Sequence, residues 1–217
     1  MQGFTILVGD MTTSEQNYGV VAAILAGGMS SRMGKPKAGV RLSTGLSVFE
    51  TVWAVLSRMN IPKAIVGHAH GIELASLGNP IVVPDVVERR GPVGALLGLL
   101  KSGLGTHYLV VGCDQILLTP ALLQKLLTEI DTRPAVLGLH NSHFSPLPAL
   151  IPDTVIGRVE ELLQSEKASI RDLLTLTNAR IETISESELE LLRSVNTPQD
   201  LAELDRLQKN NSIDQET

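Results

Sequence analysis

Apolar residues in this chain fall in short continuous blocks, with little strict alternation. The blocks are GVVAAIL (19–25), KAIVGH (63–68), NPIVVPD (79–85), THYLVVGCD (106–114) and PAVLGLH (134–140). Runs of that length, bounded by turn residues, fit strands covered on both faces. Between them the period changes. SVFETVWAVLSRM (47–59) carries apolar residues at helical spacing, and GPVGALLGLLKSG (91–103) opens on Gly-Pro and closes near glycine. TPALLQKLLTEI (119–130) starts with Thr119 as N-cap and Pro120 as the first helical residue. Strand–helix alternation of this kind predicts an α/β fold: a single doubly wound, mainly parallel sheet with helices on both faces, Rossmann-like in character. Ligands of such sheets sit outside the carboxyl ends of the strands, near the switch in strand order.

The domain is expected over 20–207, with no internal repeat and no linker to divide it. Residues 1–19, polar after FTILVG, read as an N-terminal arm, an extra edge strand or a non-native start, and 208–217 as a flexible tail. A chain of 217 residues that is 43% hydrophobic and 19% charged can bury a sizeable core. The net charge of −5 leaves no electrostatic footprint for nucleic acid, and 3% aromatics gives few stacking platforms. The one cysteine, Cys113, excludes an intrachain disulfide and a cysteine-based zinc site. No apolar run approaches the ~20 residues of a membrane span. The first twenty residues carry no Lys or Arg, and FTILV is too short for a secretory apolar region, so a soluble cytoplasmic protein is expected.

The chemistry concentrates in VAAILAGGMSSRMGKPKA (21–38), where a strand runs into paired glycines and then into basic residues. A dinucleotide-binding turn would need G-x-G-x-x-G, but Gly27 and Gly28 are adjacent and the next glycine is Gly34. A Walker loop would need four residues between its glycines and then Lys-Ser or Lys-Thr; here there are five, and Lys35 precedes Pro36. What remains is a longer loop, L-A-G-G-x-x-x-R-M-G-x-x-K. Gly27 and Gly28 let main-chain N–H groups approach anionic oxygens without a Cβ in the way. Arg32 can grip two oxygens at once and Lys37 supplies a compact charge, which suits a triphosphate whose pyrophosphate leaves.

At these residues the chain resembles nucleotidyltransferases of the GT-A-like α/β class, and more narrowly the molybdenum cofactor guanylyltransferases and their cytidylyltransferase relatives. The likeness spans roughly Val20 to Leu207. LAGGMSSRMGKPK matches the signature loop, VPDVVERRGPVGAL an acidic residue followed by Gly-Pro before a helix, and VVGCDQ a metal-binding aspartate at a strand end. SPLPAL and SVNTPQDL match a later strand and the closing segment. The resemblance implies nucleotide contacts at Leu25, Ala26, Gly27, Lys37 and Asp85, with Gly28 beside them. It implies a magnesium ligand at Asp114, phosphate contact by Arg32, and Asn196 near the metal or the acceptor. Three positions depart from the pattern. The strand-end asparagine of the family is Gly67 or His68, Gly-Pro-Leu-Ala-Gly reads Gly91-Pro-Val-Gly-Ala95, and a proline is replaced by Ile116.

The residues themselves permit the same chemistry. Asp114 ends an apolar strand, and magnesium needs only one or two carboxylates beside phosphate oxygens and water; a turn-capping aspartate is the alternative. Asp85 can accept from a base N–H or a ribose hydroxyl, or cap a turn. Asn196 precedes Thr197, which forms a capping box with Asp200. Arg89 and Arg90 read as a solvated or acceptor-facing pair, Arg171 as part of a solvated helix face, and His140 and His143 as a loop border.

The expected reaction is attack by the terminal phosphate of molybdopterin on the α-phosphorus of GTP, with pyrophosphate leaving and Mg2+ as cofactor. A phosphate nucleophile is already ionised at pH 7, so no base is needed, and catalysis is positioning plus charge neutralisation. The alternatives are the same fold using CTP or another phosphorylated acceptor, and a silent nucleotide-binding module that hands the cofactor to a partner. Expected partners are GTP, the molybdenum cofactor and other cofactor-biosynthesis or apoenzyme proteins, with neither nucleic acid nor membrane among them.

Overall fold

The computed structural model describes residues 18–26, 37–67, 72–78, 80–85, 90–140, 143–165 and 167–213. Among these, one sheet contains the strands Tyr18–Leu25 (β1), Lys63–Val66 (β2), Ile81–Val83 (β3), Gly105–Gly112 (β4), Ala135–Gly138 (β5), Phe144–Pro152 (β6) and Arg180–Thr183 (β7). Their order is β3-β2-β1-β4-β6-β5-β7. Only β6 runs antiparallel to its neighbours; the other pairings are parallel. The chain steps outward from β1 through β2 to β3, then returns to place β4 on the other side of β1. That reversal opens a crevice at the carboxyl ends of β1 and β4, where Leu25 lies opposite Gly112.

The continuous apolar blocks have a simple cause. Successive side chains on a strand point to opposite faces, so a strand buried on both sides has no polar position. Val21, Ala23 and Leu25 of β1 and Tyr108 and Val110 of β4 enter one core. That core is closed by Gly91–Lys101 (α2), Ile156–Leu162 (α4) and Ile170–Leu176 (α5). Ala22 and Ile24 with Leu109 and Val111 enter the other, under Val48–Ser57 (α1) and Pro120–Leu126 (α3). The helix starts follow local rules. Ser47 and Glu50 form a reciprocal capping box on α1. Thr119 caps α3 with Pro120 in its first turn, as its sequence predicts.

Two further helices, Glu186–Glu190 (α6) and Pro198–Ile213 (α7), close the chain. Helix α7 runs past position 207, into the segment expected as a tail, and β1 begins at Tyr18. β3 differs from a fully covered strand: it is an edge strand in which Ile81 and Val82 are 38% and 44% exposed. A third, smaller apolar cluster of Leu42, Val48, Ile116, Leu117, Val195 and Leu204 packs the segment after the basic loop against the turn after β4 and against α7. Ile116, which stands where the resembling family has proline, is 2% exposed in that cluster. Among the described residues no helix is long and apolar enough to cross a membrane.

Candidate active site

The parallel strands deliver their carboxyl ends in one row. Beyond β1 the Ala26 N–H donates to the Val66 carbonyl at 2.9 Å, and beyond β2 the Gly67 N–H donates to the Val83 carbonyl at 2.9 Å. Leu25 and Ala26 are 6% and 7% exposed and their side chains enter the two cores, so only main chain can meet a nucleotide there. Gly67, one of the two positions that correspond to the resembling family's asparagine, has φ of +88°, a backbone region costly for any residue with a side chain. Gly27, Gly28, Arg32, His68 and Arg89 lie outside the described residues. The flanks of that loop are described. Ala26 before it and Ala38 after it are buried in the same apolar cluster, and Lys37 opens a short 3-10 helix, Lys37–Gly39.

Asp114 stands two residues past the end of β4 and is partly exposed at the crevice. The space for its carboxylate depends on the residue before the turn. A Cβ on Gly112 would come within 2.9 Å of an Asp114 carboxylate oxygen, so only glycine leaves that oxygen where it is. Asn196 is far off in sequence but is brought to Asp114, because the Val195 N–H donates to the Asp114 carbonyl at 2.9 Å. Asp85 lies just beyond β3, three strands from Asp114, or roughly 14 Å at a strand spacing of about 4.8 Å. The two carboxylates therefore serve different parts of any ligand along the row.

The Asn196 environment also contains the helix entry that its sequence suggests. The Asp200 carboxylate accepts from the Asn196 and Thr197 N–H groups at 3.0 and 2.8 Å, and Thr197 Oγ1 accepts from the Asp200 N–H at 3.1 Å. Hydrogen bonding by the Thr197 side chain, then by the Asn196 and Thr197 main chain, with Arg193 nearby, holds the Asp200 carboxyl below its usual range. The Asn196 amide itself donates to the Ser194 carbonyl at 3.4 Å.

Several side chains play roles that their sequence context does not announce. Arg90 is not a solvated or acceptor-facing partner of Arg89: its guanidinium donates to the Leu163 and Ser165 carbonyls and ties the start of α2 to the end of α4. Arg171 is exposed, but it covers the Phe144 ring at 4.6 Å and donates to the Phe144 carbonyl at 2.9 Å. Ser43 donates from both N–H and hydroxyl to Asp205, latching α7 onto the turn before α1. Gln115 is buried beside Asp114 and bonds three main-chain groups. An open depression of about 570 Å³ lined by residues 57–63 lies at the amino end of β2, the opposite end of the sheet from this row.

Among the described residues no three His, Cys, Asp or Glu side chains gather to hold a metal. A chelating cage is therefore not built from them. One carboxylate at a strand end fits an ion that completes its shell with phosphate oxygens and water, which is how Mg2+ is usually held.

Comparison with known proteins bears on the family and the fold. A protein of Pelotomaculum thermopropionicum named a probable molybdenum cofactor guanylyltransferase is 30% identical over 82% of this chain and 88% of its own length. One of Rhizobium meliloti, named a molybdenum cofactor guanylyltransferase, is 31% identical over 83% of this chain and 88% of its own. The crystal structure of a molybdopterin-guanine dinucleotide biosynthesis protein A from Archaeoglobus fulgidus shares the fold, with a TM-score of 0.72 at 19% identity, covering 88% of this chain and 99% of that one. The family described as the MobA-like NTP transferase domain matches residues 22–183, strand β1 through strand β7, and the chain belongs to that family.

Proposed function

We infer that this protein transfers GMP from GTP to the terminal phosphate of molybdopterin, forming the guanine dinucleotide cofactor and releasing pyrophosphate. The observation that carries the reading is the 2.9 Å bond from the Val195 N–H to the Asp114 carbonyl, which docks the segment carrying Asn196 on the turn after β4, at the switch between β1 and β4. Family membership and the names of the relatives support the same reading.

Each residue then has a task. Main chain at Leu25 and Ala26 lines the floor, and Asp85, across the row, accepts hydrogen bonds from the base or ribose. Gly27 and Gly28 present N–H groups to phosphate oxygens, and Arg32 and Lys37 bind the pyrophosphate on which charge accumulates. Asp114, assisted by Asn196, would hold Mg2+, which neutralises phosphate charge when bound. The attacking phosphate needs no proton removed, so no residue is assigned as base.

Gly67 favours one second reading. With Gly67 rather than His68 in the place of the family's asparagine, base choice loses a side-chain contact, and CTP becomes the rival nucleotide. A pyrophosphate-release assay with each of four nucleotides, molybdenum cofactor as acceptor, and wild type beside Asp114→Ala tests both. GTP-dependent release that falls at least about a hundredfold in the folded variant is expected. Release with CTP in preference reassigns the base. Nucleotide binding with no release from any of the four leaves a carrier module, and unchanged turnover in Asp114→Ala removes the metal assignment.

A further inference from the structure

Gln115 follows Asp114 in the chain, yet the two side chains have opposite surroundings. Asp114 is partly exposed at the crevice, while Gln115 is 2% exposed. An amide buried so deeply is tolerated only when its donors and acceptor are met. All three bonds go to main chain. Oε1 accepts from the Gly112 N–H at 3.0 Å, and Nε2 donates to the Leu147 carbonyl at 2.8 Å and the Leu192 carbonyl at 3.0 Å. These groups belong to the end of β4, to β6, and to the segment between α6 and α7.

The third bond has a geometric consequence. The segment that carries Asn196 is tied to the Asp114 turn at two points, Leu192 through Gln115 and Val195 through the Asp114 carbonyl. One tie is a pivot, whereas two ties set an angle. We propose that Gln115 is a positioning residue of the transfer site: by clamping β4, β6 and the closing segment together, it fixes the Asp114 carboxylate relative to Asn196. The proposal rests on the function inferred above. Without the Gln115 fork, the segment keeps the Val195 bond and its apolar packing but loses the second polar tie that sets its angle, and the Asp114 turn loses a hold on the strand. The nucleotide grips at the other strand ends are untouched, so the rate falls and nucleotide affinity does not.

The test uses the full chain with Gln115→Met and Gln115→Glu. Gln115→Met keeps length and loses all polar atoms. It should melt cooperatively, lose about 10- to 100-fold in kcat, keep its KM for GTP within about twofold, and exchange the Gly112 and Val195 amide hydrogens faster. Gln115→Glu keeps the acceptor for Gly112 but brings two carbonyls against a carboxylate, which raises its pKa. Its activity relative to wild type should rise as pH falls from about 8 to 6, when a protonated carboxyl donates again. Unchanged kcat in the methionine variant overturns the proposal. So does a fall in kcat and KM that merely tracks loss of folded protein. If the methionine variant fails to fold, a flat relative pH profile in Gln115→Glu overturns it instead. If wild type releases no pyrophosphate with any nucleotide, the functional reading fails on its own; amide exchange in Gln115→Met then decides, and unaltered exchange at Gly112 and Val195 overturns the proposal.

Discussion

Gly112→Ala adds a single carbon at the carboxyl end of β4, and its effect can be worked out from distances. The new Cβ would sit 2.9 Å from an Asp114 carboxylate oxygen and 3.3 Å from Gln115 Oε1, where ordinary contact begins at 3.4 Å. The carboxylate oxygen must therefore retreat by about 0.5 Å, the difference between the first and last of those separations. Gln115 cannot yield as easily, because its amide is fastened to two carbonyls. The Asp114 side chain can yield by rotating, so the strain is relieved there. Gly112 is not among the positive-φ glycines, and alanine fits the backbone. Replacing a strand glycine then offsets part of the crowding through lower unfolded-state entropy, by up to about 1 kcal/mol. We expect a melting temperature within about 4 °C of wild type. We also expect kcat to fall at least about tenfold, since misplacement on the order of 1 Å can cost about a hundredfold. Thermal melts and steady-state pyrophosphate release, repeated across a Mg2+ titration, measure both. A folded variant with wild-type kcat and metal dependence would refute the claim that this carboxylate's position matters. A variant that loses its fold would refute the claim that Asp114 absorbs the contact.

Thr119→Ala removes the hydroxyl that accepts from the Leu122 N–H at 3.2 Å, so α3 should lose about 1 kcal/mol of capping and the melting temperature about 2–4 °C, while kcat holds; a loss several times larger would mean the threonine does more than cap. Acid should destabilise the protein through five carboxyls held below their usual range: Glu50 by the Ser47 main chain and hydroxyl, Asp131 by Arg133, Glu188 by Lys125, Asp200 by Thr197, and Glu203 by Arg193. A depressed folded pKa contributes stability above the unfolded value and loses it as pH falls through the folded one. Melting temperature should therefore be insensitive to these groups from about pH 7 to 5 and drop below about pH 4.5, less so in Glu50→Gln; a protein that gains stability on acidification would contradict it.

Local rules carried much of this architecture into the sequence. The blocks around β1 and β4 read as doubly covered strands because adjacent side chains go to two different cores. Thr119-Pro120 reads as a helix start because the cap bonds within one turn. The phosphate loop proposed at 27–37 is likewise read from neighbouring residues. The half-exposed strand β7 and the short helices α4 to α6 have too little alternation to register, and Arg90 gives no local sign that its partners are carbonyls at the end of α4. The site depends on distances the chain does not encode locally. Val195, the neighbour of Asn196, reaches the Asp114 carbonyl only because the closing segment docks on the turn after β4, and Gln115 finds its carbonyls 32 and 77 residues away. The sequence by itself determined the doubly covered strands and the capped helix starts, since those depend on side-chain period and nearest neighbours. Only the tertiary structure decided which strand ends share a crevice and which buried amide fastens them, because those contacts exist only once distant segments have packed.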